Sequence, residues 1–186
     1  MQQKLIILDR DGVINHDSDH YIKSPQEWIP IEGSLQAIAQ LNKADYRIAI
    51  ATNQSGIGRG YYDLATLEAM HHKMQQLLKP LGGHIDHIEF CPHTPDDNCE
   101  CRKPKVGMLN NIAKKYALNP HDIVMVGDTM GDYQAATNAG MSFVLVKTGK
   151  GERTLATGRL PQNTPIYANL AAYVSDLLKK GDVNSL

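Results

Sequence analysis

No apolar run in this sequence approaches the roughly 20 residues that a membrane-spanning helix requires. Neither sign of charge is in excess. Nineteen Lys and Arg stand against 20 Asp and Glu, a formal net charge of −1, so composition makes no electrostatic case for nucleic acid or an anionic membrane surface as partner. Met1-Gln2-Gln3-Lys4 leads straight into an apolar strand and leaves no room for a signal peptide, and a cytoplasmic monomer is expected. No internal repeat divides the chain, and 186 residues suit a single domain over 1–186 with one substantial core. Cysteine is scarce and clustered. All three fall between Cys91 and Cys101, an odd number that suits a metal site better than a disulfide framework.

The chain opens on Leu5-Ile6-Ile7-Leu8-Asp9-Arg10-Asp11-Gly12, an apolar run that ends in two carboxylates and reads as a buried parallel strand. If the extended geometry holds to Asp11, side chains two apart put Asp9 and Asp11 into one small volume, which is costly without a cation; taken alone, Asp-Gly suits a turn equally well. A polar stretch from Asn15 to Pro30 is long for a compact domain, and loops of that length tend to be functional. Helical spacing follows over Gly33–Ala44, then a strand over Tyr46–Ala51 that ends in Thr52-Asn53-Gln54-Ser55. Gly56-Ile57-Gly58-Arg59-Gly60 lacks the G-x-G-x-x-G spacing of dinucleotide-binding loops. A long amphipathic helix runs from Asp63 to Lys79, with His71 and His72 read onto its solvated face. Further strands are predicted over Ile85–Phe90, Ile123–Val126 and Phe143–Val146. Helices are predicted over Gly107–Tyr116, around Ala135, Ala136 and Ala139, and near Leu170–Leu178, with fraying beyond Lys179.

Strands that alternate with helices predict an α/β fold, a Rossmann-like doubly wound parallel sheet covered by helices on both faces. Right-handed crossovers bring every strand C-terminus to one edge, where such sheets bind ligands. Asp9, Asp11, Thr52, Lys103 and Asp128 converge there from four parts of the chain. Carboxylates from two strand ends describe a hard-oxygen Mg²⁺ site with coordination positions left for water and phosphate. Two unit charges about 4 Å apart repel by roughly 4 kcal/mol at an effective dielectric near 20, so a carboxylate can approach a phosphate dianion only beside compensating cations. With Mg²⁺ and Lys103 supplying them, Asp9 is placed to attack phosphorus, Asp11 to donate and take the proton, and Thr52 to hydrogen-bond a phosphoryl oxygen. Cys91, His93, Cys99 and Cys101, spaced C-x-H-x5-C-x-C, form a complete tetrahedral Zn²⁺ shell with no open position, hence a structural zinc-binding loop that presents Arg102 and Lys103. Free thiols, or a redox pair at Cys99 and Cys101, are the competing reading.

Asp9-Arg10-Asp11-Gly12, Thr52-Asn53, Arg102-Lys103-Pro104 and Gly127-Asp128-x-x-x-Asp132 resemble, in order, the four motifs of the haloacid dehalogenase superfamily of phosphotransferases. Within it, Thr-Asn-Gln-Ser-Gly-Ile-Gly-Arg-Gly from Thr52 and the Cys-Pro-His and Cys-x-Cys-Arg-Lys-Pro segments are similar to the branch that holds the heptose bisphosphate and histidinol-phosphate phosphatases. The resemblance implies a phosphoric monoester hydrolase acting on a small phosphorylated sugar of lipopolysaccharide synthesis, with histidinol phosphate the alternative substrate. It also implies catalytic roles for Asp9, Asp11, Thr52, Arg102 and Lys103, and Mg²⁺ on Asp9, Asp128 and the main-chain oxygen of Asp11. Substrate contacts map to Asp17, Ser18, Asp19, His20 and Tyr21, to Thr52, Asn53, Gln54 and Ser55, and to Arg102 and Lys103. Thr129 departs from the lysine expected after the metal-binding aspartate, Val13 replaces a common threonine, and the His93–Cys99 segment is short. No large cap domain interrupts the chain. A zinc-stabilised binding protein without chemistry is a third reading, against which the intact acidic set and Lys103 argue.

Overall fold

Alternation along the first strand, β1 (Lys4–Leu8), sends Ile6 and Leu8 into one core and Leu5 and Ile7 into another, so both faces of this strand are buried. A computed structural model describes residues 3–183 of the chain. After β1 come α1 (Ser34–Lys43), β2 (Tyr46–Asn53), α2 (Leu64–Leu78), β3 (His87–Cys91) and α3 (Gly107–Lys115). They are followed by β4 (Ile123–Gly127), α4 (Met130–Asn138), β5 (Ser142–Val146), α5 (Gly151–Ala156), β6 (Ile166–Tyr167) and α6 (Leu170–Val183). The strands pair in the order β3-β2-β1-β4-β5-β6, all parallel.

Helices α1, α2 and α6 cover one face through Leu35, Ile38, Leu41, Met70, Met74 and Val174, together with the buried indole of Trp28. Helices α3 and α4 cover the other through Met108, Leu109, Ile112, Ala135 and Ala136. Each such side chain contributes about 1.5–3 kcal/mol when fully buried, and the two layers bury the central strands on both faces. The chain leaves β1 for β2 on one side and reaches β4 on the other, so the strand order reverses beside β1 and opens a crevice at the C-terminal edge. No helix of the described residues is long and apolar enough to cross a membrane.

The doubly wound sheet is as expected, with four departures. Strand β1 stops at Leu8. The Arg10 carbonyl accepts from the amides of Val13, Ile14 and Asn15 at 3.2, 2.8 and 3.3 Å, so a turn, and not the pleat, sets the directions of Asp9 and Asp11. Strand β3 lies two residues later than Ile85 at its start, and half-exposed side chains mark it as an edge. A sixth strand and α5 were not expected; two and six residues are too few for periodicity to register. Finally α6 continues through Lys179 to Val183, with an Asp176–Lys180 ion pair at 2.8 Å one turn apart.

Candidate active site

Two residues beyond Cys101, the side chain of Lys103 passes into the crevice and ends among acceptors. Its Nζ donates to Asp132 Oδ1 at 2.7 Å, to the Ala51 carbonyl at 2.7 Å and to Asp9 Oδ1 at 3.0 Å, which uses all three ammonium protons. The backbone is held as firmly. Asn53, at the end of β2, donates from Nδ2 to the Lys103 carbonyl and accepts the Lys103 amide at Oδ1, both at 3.0 Å. Asn53 therefore spends its amide on positioning Lys103. Burial works against the Lys103 charge, but Asp132 and Asp9 more than offset it and hold its pKa above the ordinary lysine value.

Asp9, Asp128 and Asp132 are all buried, and a carboxylate oxygen from each lies within 4.8 Å of the others. Asp132 answers Lys103 and accepts the amides of Asp128 and Thr129 at 3.1 and 3.2 Å. Despite burial, Lys103 keeps its carboxyl below the usual range, so Asp132 faces Lys103 as a charged carboxylate. Burial, with Asp132 close by, pushes Asp9 up to about 7, and burial with Asp9 drives Asp128 well above its ordinary value. One lysine leaves this acidic trio short of positive charge. Asp128 accepts the Lys150 amide at Oδ2 (2.8 Å), while its buried Oδ1 has no hydrogen-bond partner among the described residues. An all-oxygen donor set with an orphaned buried carboxylate oxygen fits a hard divalent cation.

Gly12 is what lets the Asp9–Asp11 turn approach this trio. Its φ is 88°, and a β-carbon there would lie 2.1 Å from Asp128 Oδ2. Gly12→Ala is expected to lower stability by about 1–3 kcal/mol from the backbone alone, with a larger proportional loss of turnover as Asp128 is displaced. Urea unfolding and initial rates on the same preparation check both.

Around the trio a cavity of about 470 Å³ is lined by Asp11, Asp17, Ser18, Asp19, Tyr21, Thr52, Asn53, Gln54, Ser55, Arg102 and Lys103 among others. Every expected substrate contact therefore meets here except His20, which is exposed on the outside of the 15–30 loop. Gln54 links the walls. It donates from Nε2 to Thr52 Oγ1 at 2.9 Å and, less closely, to Asp11 Oδ2 at 3.4 Å, and it accepts the Tyr62 hydroxyl at 2.5 Å. Because Thr52 accepts from Gln54, its own hydroxyl proton is free to point into the cavity. Burial pushes the Tyr62 phenol up to about 12 and keeps it a donor.

Sequence reasoning missed Arg59, Tyr62, Lys150 and the buried Arg10. Lys150 pairs with Asp17, joining the 15–30 loop to the loop after β5. That loop leaves from the C-terminal end of a strand, and the sheet-edge argument that found Asp9 and Asp128 applies to it equally. Thr129, found in place of the expected lysine, accepts the Asp132 amide at 3.2 Å and caps α4.

Cys91, His93, Cys99 and Cys101 converge in one cluster, directly before the cavity-lining Arg102 and Lys103 in sequence. Cys91 Sγ lies 3.6 Å from Cys99 Sγ and 3.9 Å from His93 Nδ1; Cys101 Sγ lies 3.5 Å from Cys99 Sγ, 3.7 Å from His93 Nδ1 and 2.9 Å from Cys91 Sγ. Bonds of about 2.3 Å from zinc to sulfur put tetrahedral sulfurs about 3.8 Å apart, close to most of these spacings. No pair is at disulfide distance. The glycine-rich loop has its use here: the Gly58 amide donates to the Pro92 carbonyl at 2.9 Å, and a β-carbon at Gly58 would sit 2.7 Å from that oxygen.

The chain is similar to known proteins over most of its length. Residues 100–173 match the HAD-hydrolase-like family model. The chain is 57% identical over 175 residues to a D-glycero-beta-D-manno-heptose-1,7-bisphosphate 7-phosphatase of Pseudomonas putida, covering 94% of this chain and 99% of that one. It is 52% identical over 177 residues to the protein of the same name from Bordetella bronchiseptica, covering 95% and 99%. The crystal structure of the B. bronchiseptica D,D-heptose 1,7-bisphosphate phosphatase, complexed with magnesium and phosphate, superposes with a TM-score of 0.93 over 95% of this chain and 99% of that one.

Proposed function

The chain belongs to the HAD-like family of D-glycero-beta-D-manno-heptose-1,7-bisphosphate 7-phosphatases, and from that membership we propose that it removes the 7-phosphate of the heptose bisphosphate through an aspartyl-phosphate intermediate on Asp9. It is a phosphoric monoester hydrolase. The observation that carries the reaction is the buried Lys103 ammonium between Asp9 and Asp132, beside the unpartnered Asp128 oxygen, which together suit a dianion brought against a carboxylate.

Mg²⁺ would be held by Asp9, Asp128 and the main-chain oxygen of Asp11, and when bound it neutralises charge on the phosphoryl group. Lys103 and the Thr52 hydroxyl orient the phosphoryl oxygens, and Arg102 at the mouth contacts the rest of the sugar phosphate. A carboxylate oxygen of Asp9 forms a bond to phosphorus as the bond to the sugar oxygen breaks, and Asp11 gives that oxygen its proton. Water then attacks the aspartyl phosphate and returns a proton to Asp11, which frees phosphate and Asp9. The loop over residues 15–30, joined by Lys150, selects the sugar. The enzyme acts in the cytoplasm, as a monomer, on a small phosphorylated sugar of lipopolysaccharide synthesis. Phosphate release from heptose bisphosphate and from histidinol phosphate, measured side by side with Mg²⁺, tests the reading. A preference for histidinol phosphate overturns it.

The Cys/His cluster would hold one structural Zn²⁺. So held, these four residues would brace the segment that delivers Arg102 and Lys103, and a displacement of Lys103 by about 1 Å costs on the order of 100-fold in rate. Cys99→Ala is expected to lose zinc and turnover together. Metal analysis beside rate measurements checks this, and a zinc-free protein of full activity would rule the brace out.

A further inference from the structure

Arg10 stands between the two motif aspartates with no exposed surface, and no step described above uses it. A buried guanidinium is costly unless its donors are met. Nε donates to Asp11 Oδ1 at 2.9 Å, and Nη2 lies 2.8 Å from the same oxygen as a charge contact without a hydrogen bond. Nη1 faces His71 Nε2 at 3.2 Å and Met70 Sδ at 3.7 Å. His71 was expected on a solvated face; instead it turns inward from α2 to meet Arg10. Burial and the Arg10 charge drive the His71 pKa down to about 3, so the imidazole is neutral and Nε2 serves as acceptor. Asn15 adds a third nitrogen to Asp11 Oδ1, its Nδ2 at 2.8 Å. The two oxygens of Asp11 are thus unequal. Oδ1 meets three nitrogens, whereas among the described residues Oδ2 has only the long Gln54 contact at 3.4 Å on the cavity side.

We propose that Arg10, itself held by His71, is a positioning residue that locks Asp11 through Oδ1 and makes Oδ2 the oxygen that carries the catalytic proton. The proposal rests on the acid/base reading of Asp11 given above. In the first step the Oδ2–H bond breaks and its proton passes to the sugar oxygen as that oxygen leaves phosphorus. In the second the attacking water gives a proton back to Oδ2 as the Asp9–phosphorus bond breaks. A carboxyl group free to rotate would present either oxygen and hold neither in line.

A comparison of leaving groups separates this role from general support of the fold. A sugar alkoxide needs a proton to depart, whereas p-nitrophenolate leaves without one. Arg10→Lys keeps the charge but cannot meet Asp11 and His71 together, and is expected to lower kcat/KM for heptose bisphosphate by about 100-fold and for p-nitrophenyl phosphate by no more than about threefold. His71→Leu should move the same ratio in the same direction, and His71→Gln, which keeps an acceptor for Nη1, should restore it. Because His71→Leu leaves Arg10 in place, the test survives a failure of Arg10→Lys to fold. Equal losses on both substrates, or no loss on either, overturn the proposal. Asp11→Asn is the control. If it shows no preference between leaving groups, the acid/base reading itself has failed; if it does and the Arg10 and His71 variants do not, only the positioning role has.

Discussion

Asp9→Asn is expected to abolish phosphate release, by about 10⁴-fold or more, as when the nucleophile is removed from other covalent catalysts. The substitution keeps the shape of the side chain and removes the oxygen that forms the bond to phosphorus. Stability should move the other way. Burial and Asp132 raise the Asp9 pKa to about 7, so in metal-free protein the folded state holds a proton that the unfolded chain has already lost. Such a group costs stability increasingly as pH climbs from the ordinary carboxylate range toward 7, and asparagine removes that cost. The variant should therefore unfold at the same or higher urea concentration than the parent at pH 7, and the gap should close near pH 4. Acid-quenched parent protein should carry phosphate on Asp9 during turnover, and the variant none. Full activity in Asp9→Asn would end the covalent mechanism.

Lys103→Met is expected to show the opposite pairing, a loss of both stability and rate. Asp9 and Asp132 face the same ammonium, and without it two buried carboxylates confront each other. Breaking a buried ion pair by removing one partner costs about 3–5 kcal/mol. Loss of a preorganised cation at the phosphoryl oxygens should cost a further 10²–10³-fold or so in kcat. Lys103→Arg does not rescue, because a planar fork cannot direct three protons to Asp9, Asp132 and the Ala51 carbonyl. Urea unfolding resolves the first effect and single-turnover rates the second. Parent-like stability in Lys103→Met would mean that the two aspartates are shielded by something other than this lysine.

Much of this was legible in the sequence for a physical reason. Parallel strands buried on both faces are near-continuous apolar runs, and β1, β2, β4 and β5 each announce themselves that way. Once they are placed, topology alone carries Asp9, Thr52, Lys103 and Asp128 to one edge. What the sequence hid depends on local turns and on facing partners. That Arg10 points inward follows from a turn after Leu8, and a single basic residue between two acids does not reveal it. His71 and His72 are neighbours on α2, yet only His71 turns in, toward an arginine distant in sequence. Asn53 and Asp132 each sit in an expected motif, but their tasks, clamping the Lys103 backbone and neutralising its ammonium, require the distances.

The excursion between Asn15 and Pro30 begins and ends at the same place. His16 donates to the Ile29 carbonyl at 2.9 Å, Ile31 to the Ile14 carbonyl at 2.9 Å, and Lys73 from α2 ties down the carbonyls of Pro25 and Trp28 at 2.7 Å each. The loop is thus anchored near both ends, and Asp17 ties it further to the loop after β5 through Lys150. Closing such a segment becomes only about 0.6 kcal/mol costlier each time its length doubles. Changes confined to its exposed tip, away from the buried Ile22 and Trp28, are therefore expected to leave Asp9, Lys103 and Asp128 where they are. Because we propose that this loop selects the sugar, edits around its exposed Asp19 and His20 are expected to change which sugar is recognised and to leave the phosphate chemistry beneath it intact.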